Sequence, residues 1–386
     1  MGARPRAAAL RVRVLGAARE VPAAAWNALL DDAARPFLDH RYLSALEESG
    51  TAAHNGWHPR HLAAFRGKAL VAAAPAYLKQ PGAGEFVDDG AWDLASRRLG
   101  LPWHPKLVLG LPFTPVTGRR LLVAPGEDAQ ALRRALLRAA EGLAREQGFS
   151  SVHAHFHLEE ESAAFESEGF VPRLGVQYHW LNEGYAQPED FLARFRSSRR
   201  NQLRRERRAV AEAGVELRTL RGVELQATPE ALYQLYAGTA RRNGAMPYLE
   251  EGFFARLVRD MPEVLELVEA RRGGKQVAAA LNISGPGALY GRYWGCVEDL
   301  PFLHFAVCLY HPVDDCIRRG VKRFEPGAGG EHKLARGFTP VLTRSAHRLL
   351  LAPLAARVAR SLAAERAAIL SGLPAWRVDS GLKQVS

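Results

Sequence analysis

The spacing of apolar and polar positions changes repeatedly along the chain, and these changes predict alternating strands and helices. Apolar and β-branched runs predict strands, and apolar residues at every third or fourth position predict amphipathic helices. The first half contains a strand at 10–15, helices at 22–31 and 40–49, strands at 61–66 and 69–78 around a tight turn, a Pro-, Gly- and Trp-rich loop at roughly 80–120, a helix at 128–147, a strand at 151–157, a short helix ending at residue 168 and closing strands at 170–182.

The second half repeats this outline after an arginine-rich helix that links the two halves. It contains a strand at 215–220, helices at about 229–243 and 250–260, a hairpin at 264–284, a strand at 287–296, a helix at 302–319, and strands at 321–326 and 341–350. Because strands and helices alternate in both halves, each half is predicted to be a mixed sheet with helices packed on it, an α/β (α+β) fold.

Length sets the number of domains. A chain of 386 residues exceeds what one hydrophobic core usually supports, so two domains are expected. We place the first domain at residues 1–185 and the second at 186–350, with the arginine-rich helix at its start. Residues 351–386 are predicted to be a C-terminal tail that contains an amphipathic packing helix.

The N-terminal residues and the cysteines indicate the compartment. Arg11 and Arg13 interrupt the apolar N-terminal run, and no stretch of 18 or more uncharged apolar residues occurs. The sequence therefore predicts neither a membrane span nor a signal peptide. Cys296, Cys308 and Cys316 are too far apart for a Cys-x-x-Cys site and leave an odd thiol, which is typical of a reducing compartment. We expect a cytoplasmic protein with reduced cysteines.

The charge balance favours polyanionic partners. The chain carries 52 Lys and Arg against 41 Asp and Glu, a net charge of +11, although a GC-rich genome would also enrich arginine. A basic chain of this kind suits RNA or phosphorylated substrates. Eight arginines fall within fifteen residues of the linking segment: Arg194, Arg196, Arg199, Arg200, Arg204, Arg205, Arg207 and Arg208. The alternative is a solvated helix partly paired with Glu206.

Residues 324–338, FEPGAGGEHKLARGF, carry the strongest candidate chemistry. Glycines at 327, 329 and 330 allow the backbone unusual conformations and close approach to a ligand. Proton-transfer groups and positive charges lie among them: Glu325, Glu331, His332, Lys333 and Arg336. The alternative is a solvated, charged turn, which is common in proteins.

At these residues the chain resembles a known family. RSSRRNQLRRERRAVAEAGV (196–215) resembles the linking segment of the Fem-type aminoacyltransferases of peptidoglycan synthesis. GEFVDDGAW, LPFTPVTGRRLLV, LYGRYWGC and GEHKLARGF resemble the FemAB-like predicted N-acyltransferases. The similarity runs from Val21 to His347, and the element order resembles the GNAT acyltransferase fold occurring twice. Gly329 and the His311–Pro312 pair depart from the family pattern.

The resemblance implies two tandem GNAT-like domains, each a mixed, mostly antiparallel sheet flanked by helices. It also implies an N-acyltransferase that forms an amide from an activated acyl or aminoacyl donor, with a cell-wall precursor as a candidate small-molecule or peptide acceptor. Such chemistry needs a base and a group that stabilises the oxyanion. By similarity Lys333 has a binding or transition-state role, with Glu331 and His332 beside it. Glu85 and Asp88 in GEFVDDGAW are the second candidate bases.

Other residues are candidate substrate contacts. Period-two alternation places Tyr290, Arg292 and Trp294 on one strand face with Tyr293 opposite, and Glu325 and Arg336 join them. In the first half Thr114, Thr117 and Arg119 offer donors suited to a phosphate or carboxylate. Core packing and ordinary loop contacts are the structural alternatives for these two groups.

The donor remains open between aminoacyl-tRNA and acyl-CoA. Glu298 and Asp299 lie where a GNAT enzyme binds the CoA pyrophosphate, and they should repel it. The arginine segment, with Arg199, Arg200, Arg204 and Arg205 as its candidate contacts, could hold tRNA phosphates. These features slightly favour aminoacyl-tRNA. A non-catalytic protein that binds RNA or a cell-wall precursor is the third possibility.

No tightly bound cofactor, metal or DNA partner is expected. His153, His155 and His157 alternate along one strand and would share a face like metal ligands. Ligands about 7 Å apart along a strand splay outward and rarely converge on one ion. The sequence therefore predicts that these histidines do not form a metal site.

Overall fold

A computed structural model gives the fold, and it describes residues 9–225, 229–378 and 382–383. The chain forms two compact units. The first unit contains the described residues up to Gly175 together with Thr343–Ala368, and the second contains Val176–Leu342 together with the described residues from Ile369 onward. The boundary between residues 175 and 176 lies ten residues before the predicted boundary. Residues 343–368, which were predicted to lie partly in the second domain and partly in the C-terminal tail, belong to the first unit.

The first unit contains eight complete strands and six helices among the described residues. The strands are β1 (Leu10–Leu15), β2 (Trp57–Pro59), β3 (His61–Arg66), β4 (Ala69–Ala74), β5 (Ala76–Lys79), β6 (Lys106–Leu109), β7 (Leu122–Val123) and β8 (Ser151–His155). The helices are α1 (Ala23–Asn27), α2 (His40–Glu48), α3 (Thr51–His54), α4 (Gly90–Arg98), α5 (Ala129–Glu146) and α6 (Ser162–Ser167).

Strand β9 (Val171–Leu181) leads from the first unit into the second. There follow α7 (Pro188–Ala193), α8 (Ser197–Glu212), β10 (Val215–Arg221), α9 (Pro229–Arg242), α10 (Glu251–Asp260), β11 (Leu265–Arg272), β12 (Lys275–Gly285), β13 (Ala288–Cys296), α11 (Leu303–Phe305), α12 (His311–Arg319) and β14 (Arg323–Glu325). Strand β15 (Thr339–Leu349) and helix α13 (Ala352–Val378) close the chain, and each has residues in both units.

The sheets have mixed pairing within each unit. In the first unit β1, β3, β4 and β7 form an antiparallel sheet. A second group there pairs β8 with β15 antiparallel and β8 with β6 parallel. In the second unit β10 to β13 run antiparallel, β13 and β14 pair parallel, and β14 pairs antiparallel with β9.

Helices cover both faces of the second unit's sheet. One apolar core joins sheet residues to α8, α12 and the turns between them, with Phe324 and Val307 fully buried. On the other face Tyr293 packs against Phe254 of α10 and Tyr236 of α9, with ring centroids 5.6 and 5.9 Å away. This packing fixes β13 from both sides.

The predicted loop at 80–120 was wrong in its centre, because α4 and β6 lie there. Trp92 of α4 and Trp103 pack with Leu354 and Val358 of α13 in a small core. These partners are about 250 residues away in sequence, so local patterning could not show the helix. The first predicted helix is also shorter than expected, since α1 ends at Asn27. None of the described helices is long and apolar enough to cross a bilayer.

Candidate active site

The strand that carries Tyr290 and Trp294 contains a β-bulge. Tyr290 pairs with Ile283 of β12 and Tyr293 pairs with Leu281, so Arg292 is the extra residue. Ile283 and Leu281 are two residues apart on β12, so their side chains lie on the same face of the sheet. Their partners Tyr290 and Tyr293 therefore also lie on that face, although three positions separate them. Trp294 lies on the opposite face, where its ring is 5.1 Å from that of His304. The predicted common face for Tyr290, Arg292 and Trp294 was wrong because a bulge shifts the alternation.

Glu325 ends the short strand β14, beside Tyr290. The two residues are paired in the parallel register of β13 and β14, and this pairing stops at them. Glu325 and Tyr290 therefore lie on the same face of the sheet. In the antiparallel pair of β14 and β9, Phe324 is opposite Trp180, so Glu325 is opposite His179 and the two side chains lie on that face together. The chain leaves the sheet at Pro326, which approaches Gly291 so closely that a Cβ there would lie 3.2 Å from the Pro326 Cα atom.

The Glu325 carboxylate is buried and incompletely partnered. It is 4% exposed, and its Oε1 atom forms an ion pair with Arg323 Nε at 2.7 Å. Its Oε2 atom has no hydrogen-bond donor among the described residues and lies 3.7 Å from His179 Nε2. Burial raises the pKa of Glu325 to about 7, although Arg323 and Arg292 act in the opposite direction.

His179 is neutral in this environment. Burial, together with the charges of Arg323 and Lys333, lowers its pKa to about 3. The dependence on Lys333 places the ammonium of the loop after Glu325 near this imidazole. His179 thus lies 3.7 Å from the Glu325 Oε2 atom and also experiences the charge of Lys333.

The loop after Glu325 is shaped by its lysine. Lys333 is 5% exposed, and its Nζ atom donates to the carbonyl oxygens of Gly327 at 2.8 Å and Gly329 at 2.7 Å. Both glycines, and Gly330, have positive φ, which glycine adopts readily. Two of the three N–H groups of the ammonium are used in this way. Burial lowers the pKa of Lys333 to about 8.

Arg336 is engaged inside the protein. Its Nη2 atom pairs with Glu206 Oε2 at 2.9 Å, its Nε donates to the Tyr310 hydroxyl at 2.8 Å, and its guanidinium lies 3.4 Å from the centre of the Phe305 ring. Its Nη1 also donates to the His332 carbonyl at 3.0 Å. Arg336 thus fixes the loop, and its predicted substrate contact would require these bonds to break.

The helix that supplies Tyr310 and Phe305 has an unusual turn. Residues Ala306–Tyr310 form a π-turn between α11 and α12, and Pro312 follows as the second residue of α12. Proline has no N–H for the usual bond to the carbonyl four residues back, and its ring clashes with that carbonyl. The wider turn accommodates both effects, so the His311–Pro312 departure noted in the sequence has a local structural reason.

His332 and Glu331 lie at the open side of the loop, and both are exposed. The His332 ring is 5.4 Å from Phe305 and 6.2 Å from His304. Burial and the neighbouring Lys333 and Arg336 lower the pKa of His332, so its imidazole is neutral at pH 7.

The comparisons with known proteins identify the family. A model of the FemAB-like family, described as peptidoglycan biosynthesis/recognition, matches residues 17–384. The chain belongs to the FemAB-like family. A search of curated proteins gave no significant match.

Solved structures show similarity at low sequence identity. FemX is 11% identical, with 82% of this chain and 94% of FemX covered and a TM-score of 0.49. A conserved protein of unknown function from Bacteroides thetaiotaomicron is 11% identical, with 88% and 100% covered and a TM-score of 0.50. A tandem GNAT protein of clavulanic acid biosynthesis is 14% identical, with 88% and 98% covered and a TM-score of 0.44. The expected α/β (α+β) fold is confirmed, because each of the two units combines mixed sheets with helices.

In the first unit of this FemAB-like chain, the acidic cluster is paired with one buried lysine, Lys106. Glu85 Oε1 lies 2.8 Å from Lys106 Nζ, which also pairs with Asp89. Burial raises the pKa of Glu85, a direction that suits a base. Asp88 instead accepts from the Gly90 N–H at 2.9 Å at the start of α4.

Thr114 and Arg119 of LPFTPVTGRR use their donors within the first unit, so the predicted anion site is not preformed. The Thr114 hydroxyl lies 3.1 Å from the Tyr42 hydroxyl and donates to the Pro112 carbonyl. Arg119 pairs with Asp31 and Glu160, both at 2.6 Å. Thr117 is half-buried. An anion would have to displace these internal partners.

The candidate metal histidines also make internal contacts. His153 Nδ1 lies 2.7 Å from His347 Nδ1, and His153 Nε2 lies 2.8 Å from the Ser151 hydroxyl. His157 Nδ1 lies 2.8 Å from the Leu158 carbonyl oxygen. Among the residues that the structure describes, no group of three or more His, Cys, Asp or Glu is placed to hold a metal ion.

The arginine-rich segment is a helix in the FemAB-like chain, and its arginines divide into two groups. Arg204 and Arg205 are exposed and Arg199 and Arg200 are half-buried, with Arg199 donating to Gln202 at 2.9 Å. Glu206 points inward to Arg336, so it does not neutralise this face as the alternative interpretation assumed. In the region proposed to repel CoA, Glu298 pairs with Arg272 at 2.9 Å.

His179, Glu206 and Tyr310 are site residues that the sequence analysis did not single out. For Glu206 a signal existed, because it is flanked by Leu203 and Val210 on the apolar side of the helix. His179 alternates with Gln177 along β9, which is typical of a polar strip on a sheet face. Tyr310 carried no local signal.

Proposed function

We propose that the protein is an N-acyltransferase that forms an amide by moving an acyl or aminoacyl group to an amine acceptor, with aminoacyl-tRNA slightly favoured over acyl-CoA. The observation that carries the proposal is the buried Lys333 ammonium in the loop after Glu325, which keeps one N–H beyond the two that hold the loop. Membership of a family described as peptidoglycan biosynthesis/recognition supports a cell-wall precursor as acceptor.

The reaction needs a positive donor where the carbonyl oxygen becomes an anion. Attack by a neutral amine forms a C–N bond and places negative charge on that oxygen. Lys333 can donate its remaining N–H to the oxyanion, and its buried position strengthens the interaction because water is excluded. Arg336, held by Glu206, keeps the loop that carries Lys333 in place.

The donor preference rests on charge. Exposed arginines on α8 offer contacts for the phosphates of tRNA. A CoA donor would meet the exposed Asp299, while Glu298 is already paired with Arg272. The acidic region therefore argues against a CoA pyrophosphate less strongly than two unpaired carboxylates would.

The test is a transfer assay with matched lysine variants. The purified protein is given radiolabelled aminoacyl-tRNA or acetyl-CoA together with an amine-bearing muropeptide. Lys333→Met, which removes the donors and keeps the length, should reduce transfer by about 10²-fold, as loss of one oxyanion donor does in other enzymes. Lys322→Met changes an exposed lysine of the same unit and should leave transfer unchanged.

The outcome separates an enzyme from a binding protein. Absence of transfer from both donors, with the muropeptide still bound, would support the non-catalytic alternative. Tight acetyl-CoA binding that does not weaken as salt rises would make acyl-CoA the donor.

A further inference from the structure

We propose that Glu325 is the general base of the second unit and accepts the proton that the acceptor ammonium loses. This inference rests on the proposed transferase function and deepens it, because it names the group that makes the amine nucleophilic. The other proton-transfer groups of the loop, Glu331 and His332, lie at its exposed side, whereas the Glu325 carboxylate is buried.

Glu325 differs from the other buried carboxylates of its unit. The other three buried glutamates each accept hydrogen bonds on both carboxylate oxygens. The donors to Glu266 are Arg319, Arg221 and Ser284, and those to Glu269 are Arg218, Arg271 and Gln276. The donors to Glu206 are Gln202, Tyr310 and Arg336. Glu325 has a single cationic partner on Oε1, and its Oε2 lacks a donor among the described residues. Burying a carboxylate oxygen without a donor is costly, and among the described residues of the second unit Glu325 Oε2 is the only carboxylate oxygen in this state. The open Oε2 is therefore a place for an N–H of a ligand.

The surroundings of Glu325 match the needs of a base. Arg323 on its own strand and Arg292 on β13 favour its ionised form, and Tyr290 on β13 and His179 on β9 lie beside it. Burial has the larger effect and holds its pKa at about 7. A base with a pKa near the working pH combines a populated basic form with enough basicity to accept a proton.

The base and the proposed oxyanion donor lie on one short segment. Lys333 follows Glu325 by eight residues, and three glycines with positive φ lie between them. Since Oε2 is buried, the proposal requires this glycine segment to move away from β13 before the acceptor can reach it. Glycine backbones allow such movement with little steric cost.

The proton balance of the step is complete. The acceptor ammonium gives one proton to the Glu325 carboxylate, and its nitrogen then attacks the donor carbonyl to form the C–N bond. The ester C–O bond breaks, and the departing ribose hydroxyl takes the proton back from the Glu325 carboxyl group. The second nitrogen proton is released to solvent, and the amide keeps the third. A thioester donor releases a thiol in the same way.

The experiment compares two acceptors in Glu325→Gln and in a control. Glu269→Gln changes a buried, arginine-paired glutamate of the same unit outside the site. With a primary-amine muropeptide, Glu325→Gln should lower kcat/KM by about 10²-fold or more, the size expected for loss of a general base. With hydroxylamine, which is already neutral at pH 7, the loss should be at least tenfold smaller. Glu269→Gln should lower both rates equally or not at all.

Other outcomes overturn the inference. Equal losses with both acceptors would mean that Glu325 is structural, and an unchanged rate with the muropeptide would mean that it takes no part. If Glu325→Gln does not fold, the wild-type pH profile decides: kcat/KM should fall as the pH drops below about 7, and a flat profile down to pH 5.5 overturns the proposal. Failure of the wild-type protein to use either acceptor would instead overturn the transferase function itself.

Discussion

Two buried glutamates of the second unit show how neighbouring groups set the state of a carboxylate. Glu269 receives Arg218 on Oε2 at 2.6 Å and Arg271 and Gln276 on Oε1 at 3.0 Å. Glu325 has only the Arg323 ion pair. Hydrogen bonds to the ionised form offset the cost of burial, and Glu325 has fewer of them. Its charge therefore changes near neutral pH, where its pKa lies.

This difference predicts a pH dependence of stability. The folded-state pKa of Glu325, about 7, is above its ordinary value of 4.5, so the folded state holds a proton between these values that the unfolded state has lost. The stabilisation is complete below pH 4.5 and disappears as the pH rises through 7. Between these limits the free energy of unfolding should fall by up to about 3 kcal/mol more in the wild type than in Glu325→Gln.

Urea unfolding at several pH values between 4.5 and 8 gives the free energy of unfolding of the second unit and so measures this difference. Parallel pH curves for the wild type and Glu325→Gln would show that the carboxyl group keeps its ordinary pKa. Glu269→Gln serves as the control for loss of a buried charge.

At the scale of elements, close packing of α9 on β13 depends on one glycine. A Cβ built on Gly295 would lie 2.2 Å from the carbonyl carbon and oxygen of Leu235, a contact with helix backbone. Backbone cannot rotate away as a side chain can, so the helix would have to shift. The bulge at Arg292 and this contact together set the position of β13 beside Glu325.

Gly295→Ala is therefore expected to destabilise the second unit by about 3 kcal/mol or more, at the upper end of overpacking costs. Gly238→Ala, in the interior of α9 with its nearest neighbour at 3.6 Å, should be neutral or stabilise by about 0.5–1 kcal/mol because alanine favours a helix. Thermal unfolding of both variants measures the contrast. Equal stability of the two variants would show that α9 is not tightly packed there.

Elements also show where local patterning reaches its limit. The second unit's helices at 229–243, 250–260 and 302–319 were predicted within one or two residues of their ends, because each has a strong apolar stripe. Helix α4 was missed, because its stability comes from Trp92 packing on residues of α13. The bulge at Arg292 was missed for a related reason, since it depends on pairing with β12.

At the scale of the whole molecule, the net charge of +11 predicts affinity for polyanions without saying where they bind. Helix α8 presents Arg204, Arg205 and Arg208 at its exposed side. Helix α13 also carries exposed arginines at 357, 360 and 366, so equal charge can be removed from either place. The comparison separates a specific arginine face from general electrostatic attraction.

The triple variant Arg204→Gln, Arg205→Gln and Arg208→Gln should weaken binding of a fluorescent tRNA. It should also reduce the slope of log K against log salt by about 0.9 for each phosphate that the protein no longer neutralises. The triple variant Arg357→Gln, Arg360→Gln and Arg366→Gln removes the same charge. It should change the slope by less than about 0.9, the change expected for the loss of one phosphate contact. Fluorescence anisotropy at several salt concentrations measures both. Equal slopes in the two variants would assign the effect to net charge alone.

Local periodicity and contiguous motifs were enough to predict the family, the repeated order of strands and helices, and the loop that carries Lys333. The internal pairing of charged groups was visible only in the folded chain: Arg336 and Glu206 pair across 130 residues, and Arg119 pairs with Asp31 and Glu160. The same holds for the Glu325 Oε2 atom, which lacks a donor among the described residues. Burial and pairing depend on neighbours distant in the chain, and no local pattern records them.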